Sequence, residues 1–429
     1  MKQHELVQWF RQSSPYINLH RQTTVVINLR SEVISHDHFR GFLHDLAIAH
    51  NLGVKIVMVL GARQAIDKVL QQQGIASEFH LGKRLTSNEL MEVIAAEVGR
   101  LRNYVEAKLS MGLINSPMHQ ANITVVSGNF VVAKPLGVVD GIDYLHTGEL
   151  RKINAPAIKQ QLDSGNIVLI SPIGHSPSGE SFNLEADDLA VQLASSLKAE
   201  KLVSVYDQVP TSISSSLSIA EAEQLATDQT ITHELAQLIS SLSRAVGLGV
   251  ERAHLVDINI DGSLLSELYT RDGQGVMISS CPDWIIRAAR VDDLNAIINL
   301  IRPLEQSGAL VRRSRERLEV ELPYFTLVEK DGMIISCCAL YPFEDQSAEI
   351  ACVATAPEYR GTGVTIQLLK HIEIEAKKAQ LKRLFLLTTG SMHWFLEQGF
   401  SPSQLDDLPA SRRDMYNYQR NSKLMAKTL

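Results

Sequence analysis

Cysteine is scarce: the 429 residues contain four, Cys281, Cys337, Cys338 and Cys352, all in the last third and without metal-ligand spacing. That scarcity excludes a disulfide framework and offers no metal site, so a reducing compartment is expected. No stretch approaches the roughly 18 apolar residues of a membrane span. The opening residues Met1 to Leu6 are polar, so neither membrane insertion nor secretion is expected and the chain is read as cytoplasmic. Basic charge is in deficit, with 41 Lys+Arg against 48 Asp+Glu and a net charge of −7. Phosphate backbones are bound by concentrated basic surface, so nucleic acid is not an expected partner. Internal repeats and low-complexity segments are absent as well.

The composition is globular, with 45% hydrophobic and 21% charged residues, and the length points to two or three domains. Residues 24–30 (TVVINLR) and 54–60 (VKIVMVL) are β-branched apolar runs separated by a stretch with helical spacing, His36 to His50. Strands are expected again at 122–127, 166–171, 201–206 and 253–258, with helices at 184–199 and 232–246. This alternation predicts an α/β domain, doubly wound around a mainly parallel sheet, over residues 1–280. The rhythm changes near 279–286, at Pro282. From 285 to 429 a smaller, mixed sheet is expected, with helices at 292–302, 314–321, 363–379 and 391–398 and strands at 324–330, 333–341, 348–355 and 383–388.

The chemistry concentrates in the second domain. After Glu349 the 348–355 strand runs through Cys352 and Val353 into Arg360-Gly361-Thr362-Gly363-Val364-Thr365, which opens onto an amphipathic helix. Such a turn aims backbone N–H groups and the positive helix end at one place, which suits a pyrophosphate, and glycine permits close approach. Acyl transfer from a thioester to an amine needs a base and a held oxyanion. Glu349 is the candidate base, and the backbone N–H groups near Cys352 and Val353 are candidates for the oxyanion. The Cys352 thiol lacks a pKa-lowering partner, and direct amine attack needs no acyl-enzyme. Two basic clusters, Leu310 to Glu316 and Tyr416 to Lys423, fit an anionic acceptor, because arginine grips a carboxylate with two parallel hydrogen bonds.

The strand, glycine turn and helix, followed by Arg383 to Leu387 and His393-Trp394-Phe395 to Gly399-Phe400, resemble the Gcn5-related acetyltransferase fold. That family's loop reads Arg/Gln-x-x-Gly-x-Gly/Ala, and Thr365 departs from its last position, where it would crowd a phosphate or donate a hydroxyl to it. Longer matches, among them Trp9-Phe10, Pro15 to Asn18, Val126 to Phe130, Gly137 to Asp143 and Gly179 to Asn183, resemble the bacterial N-acetylglutamate synthases of the two-domain type. This resemblance implies transfer of acetyl from acetyl-CoA, as co-substrate, to L-glutamate, the first step of arginine biosynthesis, with no tightly bound cofactor and no metal. It implies Leu310, Arg312 and Arg420 for glutamate, and Glu349 as base. It places Cys352, Val353 and the 360–365 loop, from Arg360 through Gly361, Thr362, Gly363 and Val364 to Thr365, beside acetyl-CoA.

The first 280 residues resemble the amino-acid kinase fold, whose active members carry Lys-x-Gly-Gly on the first strand. Here the turn is Asn28-Leu29-Arg30-Ser31, so the lysine is gone and both glycines bear side chains. Asn183 and Asp187 match catalytic-type positions, but without the phosphate cradle no phosphotransfer is expected. Arginine-sensitive members carry Glu-x-x-Ser/Thr-x-x-Gly-x-Gly, and Glu267 to Gly275 fits it. The resemblance therefore implies an L-arginine feedback site at Tyr16, Lys201, His254, Glu267, Gly273 and Gly275. It also implies a homo-oligomer, a hexamer, joined through an N-terminal helix; the Leu6, Trp9 and Phe10 stripe of that helix fits either a second copy of the chain or packing back on its own domain. Two other readings stay open: an arginine and acetyl-CoA sensor without turnover, and a small-acid kinase with an accessory acetyltransferase-like domain.

Overall fold

The computed structural model describes residues 3–270, 273–280, 284–330, 332–417, 420 and 422–429. Cys281, Pro282, Arg271, Asp272, Tyr418, Gln419, Asn421 and the side chain of Leu6 lie outside the described residues. The chain divides into two compact units, 1–281 and 282–429.

The first unit is built on an eight-stranded sheet. Its strands run in the order Ser216–Ser218, Val276–Ser279, Arg252–Asp257, Lys201–Tyr206, Thr24–Leu29, Lys55–Leu60, Ile167–Ile170 and Val125–Val126. Every neighbour is parallel except Val276–Ser279 beside Arg252–Asp257. The central strands are buried on both faces, as continuous apolar runs require when helices cover a parallel sheet. A second, four-stranded sheet, Ser181–Asn183, Ile173–His175, Val131–Pro135 and Gly148–Ile153, is an element that the strand-helix alternation does not announce. The Asn88–Leu109 helix, capped by the Ser87 side chain on the Leu90 N–H, is another.

In the second unit seven strands follow the order Ile285–Ala288, Phe325–Lys330, Met333–Pro342, Ser347–Thr355, Arg383–Thr388, Lys423–Thr428 and Ser401–Pro402. Only Ser347–Thr355 and Arg383–Thr388 are parallel neighbours. Their crossover carries the Val364–Lys378 helix, whose buried stripe of Val364, Leu368, Leu369, Ile372 and Ala376 packs in one core with Leu384, Leu386 and Met425. Lys423–Thr428, which lies between Arg383–Thr388 and Ser401–Pro402, was not expected from the sequence pattern.

Phe385 is 1% exposed, clusters with Leu408 and Leu424, and sits opposite Glu349 in the parallel ladder. Phe385→Ala is expected to lower stability by about 3–5 kcal/mol through lost burial and a cavity. Urea denaturation followed by tryptophan fluorescence tests this, and a change under about 1 kcal/mol would show that the ring does not anchor the sheet.

Candidate functional site

The parallel ladder between Ser347–Thr355 and Arg383–Thr388 covers only Ser347 opposite Arg383, Ala348 opposite Leu384 and Glu349 opposite Phe385. Beyond Glu349 the two strands part. The antiparallel ladder on the other edge shifts at the same level, from Cys337 opposite Ala354 to Ala339 opposite Ala351, which makes a bulge of Cys352 and Val353. Cys352 has φ +51, a left-handed conformation that bends the strand away from its parallel neighbour. Its side chain is 1% exposed in the cluster of Leu294, Ile297 and Ile301, and burial pushes the thiol up to about 11 despite the nearby Arg313. The thiol is therefore protonated and packed, and the backbone is what Cys352 can offer to a thioester oxygen.

The parted strand leads into the glycine turn. Gly361 and Gly363 have φ of +81 and +85, and a Cβ on either would meet no atom within 4 Å, so the space over the turn is open. Gly363 caps the 15-residue helix Val364–Lys378 without a side-chain hydrogen bond, leaving the first-turn amides for an anion. Arg360 is exposed at the rim, and the Thr362 hydroxyl bonds back to the Tyr359 carbonyl at 2.8 Å. The Thr365 hydroxyl lies 2.7 Å from that of Thr355, which in turn lies 2.8 Å from the Ser336 hydroxyl, so the side chain is tied to the end of the strand that leads into the turn.

Glu349 is 8% exposed, and both its oxygens are held by one guanidinium: Arg412 Nε donates at 2.6 Å and Nη2 at 2.9 Å. Arg412 sits on the short Ala410–Arg413 helix and was not singled out from sequence; the paired charges of Ser411-Arg412-Arg413-Asp414, next to a basic cluster, were the available signal. The two basic clusters meet. Arg420 Nη2 donates to the Gly308 carbonyl at 3.3 Å and to that of Ala309, next to Leu310, while Arg312 is exposed two residues further on. Arg313 is otherwise engaged, with its Nε 3.2 Å from Glu321.

In the first unit Lys201 and His254 lie on adjacent parallel strands, and Glu267 on the Ser263–Tyr269 helix. Lys201 Nζ lies 3.3 Å from His254 Nε2, and His254 Nδ1 lies 2.5 Å from Glu267. Burial, then the Lys201 charge, push His254 down to about 4, so at neutral pH it is uncharged, accepts from Lys201 and donates to Glu267. Burial alone would raise Glu267, but His254 and the Gly275 and Gln274 amides, donating at 2.8 and 2.9 Å, bring it to about 2. A Cβ on Gly273 or Gly275 would strike the Glu267 carboxylate or the Leu255 carbonyl, so both glycines let the turn close on Glu267. Two amides of the turn, those of Gln274 and Gly275, are spent on Glu267 in this structure. Tyr16, 6% exposed, lies on the Gln3–His20 helix, whose His20 ring meets Tyr269 edge-on at 6.0 Å.

Where a kinase would hold phosphate, the buried Asn28 donates to Asp187 at 2.6 Å and Arg30 Nη2 donates to the other oxygen at 3.1 Å. Ser31, 2% exposed, accepts from the Ala65 N–H at 3.2 Å, and Asn183 donates to Thr86 at 3.3 Å.

An α/β unit of amino-acid kinase type followed by a mixed-sheet acetyltransferase unit defines a two-domain acyltransferase. Residues 23–257 match the amino acid kinase family model, and residues 294–400 the acetyltransferase (GNAT) family model. The amino-acid acetyltransferase of Azotobacter vinelandii is 45% identical over 99% of this chain and 100% of its own, and that of Proteus mirabilis 44% identical over 98% and 97%. The solved N-acetylglutamate synthase of Neisseria gonorrhoeae, complexed with coenzyme A and L-arginine, is 36% identical, with a TM-score of 0.91 over 99% of each chain. Its complex with coenzyme A and N-acetyl-glutamate gives 0.62 over the same shares. The chain belongs to the amino-acid acetyltransferase family.

The His254–Glu267 pair makes stability depend on pH. Both folded values lie below their ordinary ones, 6.5 and 4.5, so on acidification the unfolded chain takes up protons first. Stability should fall as pH drops from 6.5 towards 4, and further below 4.5. Urea midpoints across that range should fall less steeply between pH 6.5 and 4 in His254→Gln; an unchanged slope would contradict the assignment.

Proposed function

We propose that this chain makes N-acetyl-L-glutamate and coenzyme A from L-glutamate and acetyl-CoA, the first step of arginine biosynthesis, by direct attack of the amine on the thioester. The observation that carries this reading is the gap between the parted strands, which opens beside a buried carboxylate and leads to an uncapped helix end. Pyrophosphate is taken by the amides at Gly361 to Thr365, with Arg360 at the rim. The thioester then lies along the bulged strand, where the Cys352 and Val353 N–H groups face the developing oxyanion. Arg312 and Arg420 receive the glutamate carboxylates next to Leu310.

Glu349 takes the proton from the ammonium group, directly or through water. Arg412 takes one lone pair of each oxygen, and the outer lone pairs of the carboxylate remain to accept the ammonium proton or a bridging water. No acyl-enzyme is needed: the amine forms the new C–N bond, the C–S bond breaks, and the second proton that the nitrogen sheds passes, directly or through water, to the departing thiolate.

The N-terminal unit serves regulation, with L-arginine as feedback effector at the pocket of Glu267, His254, Lys201, Tyr16 and the Gly273–Gly275 turn. Arginine acts only so far as it binds two states of the protein differently. Phosphotransfer is lost, because Asp187 is engaged by Arg30 where a phosphate cradle would require glycine. The assembly is a homo-oligomer, a hexamer by family resemblance, and the exposed Trp9 and Phe10 on the Gln3–His20 helix support contact with a second copy of the chain; mass photometry showing a single subunit mass would exclude it. No helix among the described residues is long and apolar enough to cross a membrane. The cytoplasm is the compartment that supplies acetyl-CoA.

Glu349→Gln should lower kcat by about 10²–10⁴-fold while leaving coenzyme A binding intact. Arg312→Gln should instead raise the KM for glutamate more than that for acetyl-CoA. Coenzyme A release under saturating and limiting substrate separates the two, and full activity in Glu349→Gln would remove that residue from the chemistry.

A further inference from the structure

The acetyltransferase unit holds a largely buried carboxylate, Glu321, that the chemistry described above does not use. Glu321 ends the Arg315–Glu321 helix, and three donors converge on it. The Tyr341 hydroxyl at 2.6 Å and Arg313 Nε at 3.2 Å share one oxygen, and Arg317 Nε lies 2.7 Å from the other. Tyr341 lies directly opposite Glu349 in the antiparallel ladder of Met333–Pro342 and Ser347–Thr355, so the two side chains share one face of the sheet. Its ring also meets that of Tyr324 at 5.2 Å between centres.

Arg313 follows Arg312 directly, and its backbone is fixed as well as its side chain. Its N–H donates to Glu305 at 2.9 Å, its Nη1 to the Val311 carbonyl at 3.3 Å, and the Leu310 N–H donates to the Leu304 carbonyl at 2.9 Å. The 310–313 segment is therefore pinned to the Leu294–Gln306 helix through its backbone and to the sheet through Glu321 and Tyr341. Burial alone would raise Glu321, but the Tyr341 hydroxyl, Arg317 and Arg313 bring it below its ordinary value, so it stays an anion. Burial and Glu321 push the Tyr341 hydroxyl up, so it remains a donor at neutral pH. Apolar residues of similar volume would hold a helix end as well as this buried cluster does. What they would not do is fix a direction and a distance between the helix and one strand position.

Resting on the reading that this unit acetylates glutamate, we propose that Tyr341 and Glu321 are positioning residues that select the length of the acceptor. Through Arg313 they hold the neighbouring Arg312 at a set offset from Glu349. An acidic amino acid gripped by Arg312 at one carboxylate then brings its amine to Glu349 and the thioester only if the carbon chain between them has the right length. One methylene more or less moves the amine by about 1 Å, a misplacement that costs on the order of 10²-fold in rate. Without the Tyr341 hydrogen bond the 310–313 segment can follow a shorter or longer acid, so the fit to glutamate weakens and the exclusion of its homologues weakens with it.

The test is coenzyme A release by the full chain with L-glutamate, L-aspartate and L-2-aminoadipate as acceptors, in wild type, Tyr341→Phe, Glu321→Gln and the double variant. Tyr341→Phe should raise the KM for glutamate by about three- to tenfold and leave the KM for acetyl-CoA unchanged, which also shows that the variant is folded. Its preference for glutamate over the two homologues, as a ratio of kcat/KM values, should fall by a similar factor. The double variant should be no worse than Glu321→Gln alone, because both changes act through one contact. A fall in kcat with both KM values unchanged and the alkaline limb of the pH profile altered would make Tyr341 a proton donor in the chemistry and overturn the proposal. Equal losses with all three acids, or a rise in both KM values, would show a merely structural role and overturn it too. Wild type that releases no coenzyme A with any of the acids contradicts the functional reading and the proposal with it, whereas wild-type release with unaltered preference in the variants overturns the proposal alone.

Discussion

The acetyltransferase unit depends on one interruption in a β-ladder. Two parallel strands pair for three residues and then separate, because a left-handed residue at Cys352 adds one position to the middle strand. A continuous ladder would satisfy these amides on both edges and close the sheet. Parting them leaves the Ser347–Thr355 strand beyond Glu349 without its parallel neighbour and lets it run on into the glycine turn. The cost of a left-handed non-glycine residue is met by packing, since Cys352 is buried in the cluster with Leu294 and Ile297. Its side chain belongs to stability.

Charge is managed differently in the two units, though by the same device of saturating a carboxylate. In the second, Glu349 is held on both oxygens by Arg412. In the first, Glu267 is fixed by His254 and two loop amides, and Asp187 by Arg30 and Asn28. A carboxylate so bound is a structural anion. For Asp187 this state is consistent with a domain that has given up phosphate chemistry. For Glu267 it organises the turn at Gly273 and Gly275, whose missing side chains make room for the carboxylate.

Local signals were legible in the sequence. The Arg360 to Gly363 turn could be read because a strand, two glycines and an amphipathic helix are contiguous, and the parallel core because its strands are unbroken apolar runs. The loss of the kinase cradle could be read from Asn28, Arg30 and Ser31 by the side chains alone. What escaped was long-range or weakly patterned. Arg412 and Glu349 are 63 residues apart and no periodicity links them. The four-stranded sheet is made of strands of three to six residues, too short for alternation to stand out. The contact between the Thr365 and Thr355 hydroxyls is likewise named only by the fold.

The central claim is direct acetyl transfer to glutamate within the gap between Ser347–Thr355 and Arg383–Thr388. Its most direct measurement is mass spectrometry of the full chain and of the small molecules after incubation with acetyl-CoA, with and without L-glutamate. Coenzyme A and N-acetyl-L-glutamate should form in equal amounts, only when glutamate is present, with no acetyl group left on the protein in either case. Acetyl-CoA that binds and is never consumed, or an acetylated protein that forms before glutamate is added, would contradict the account.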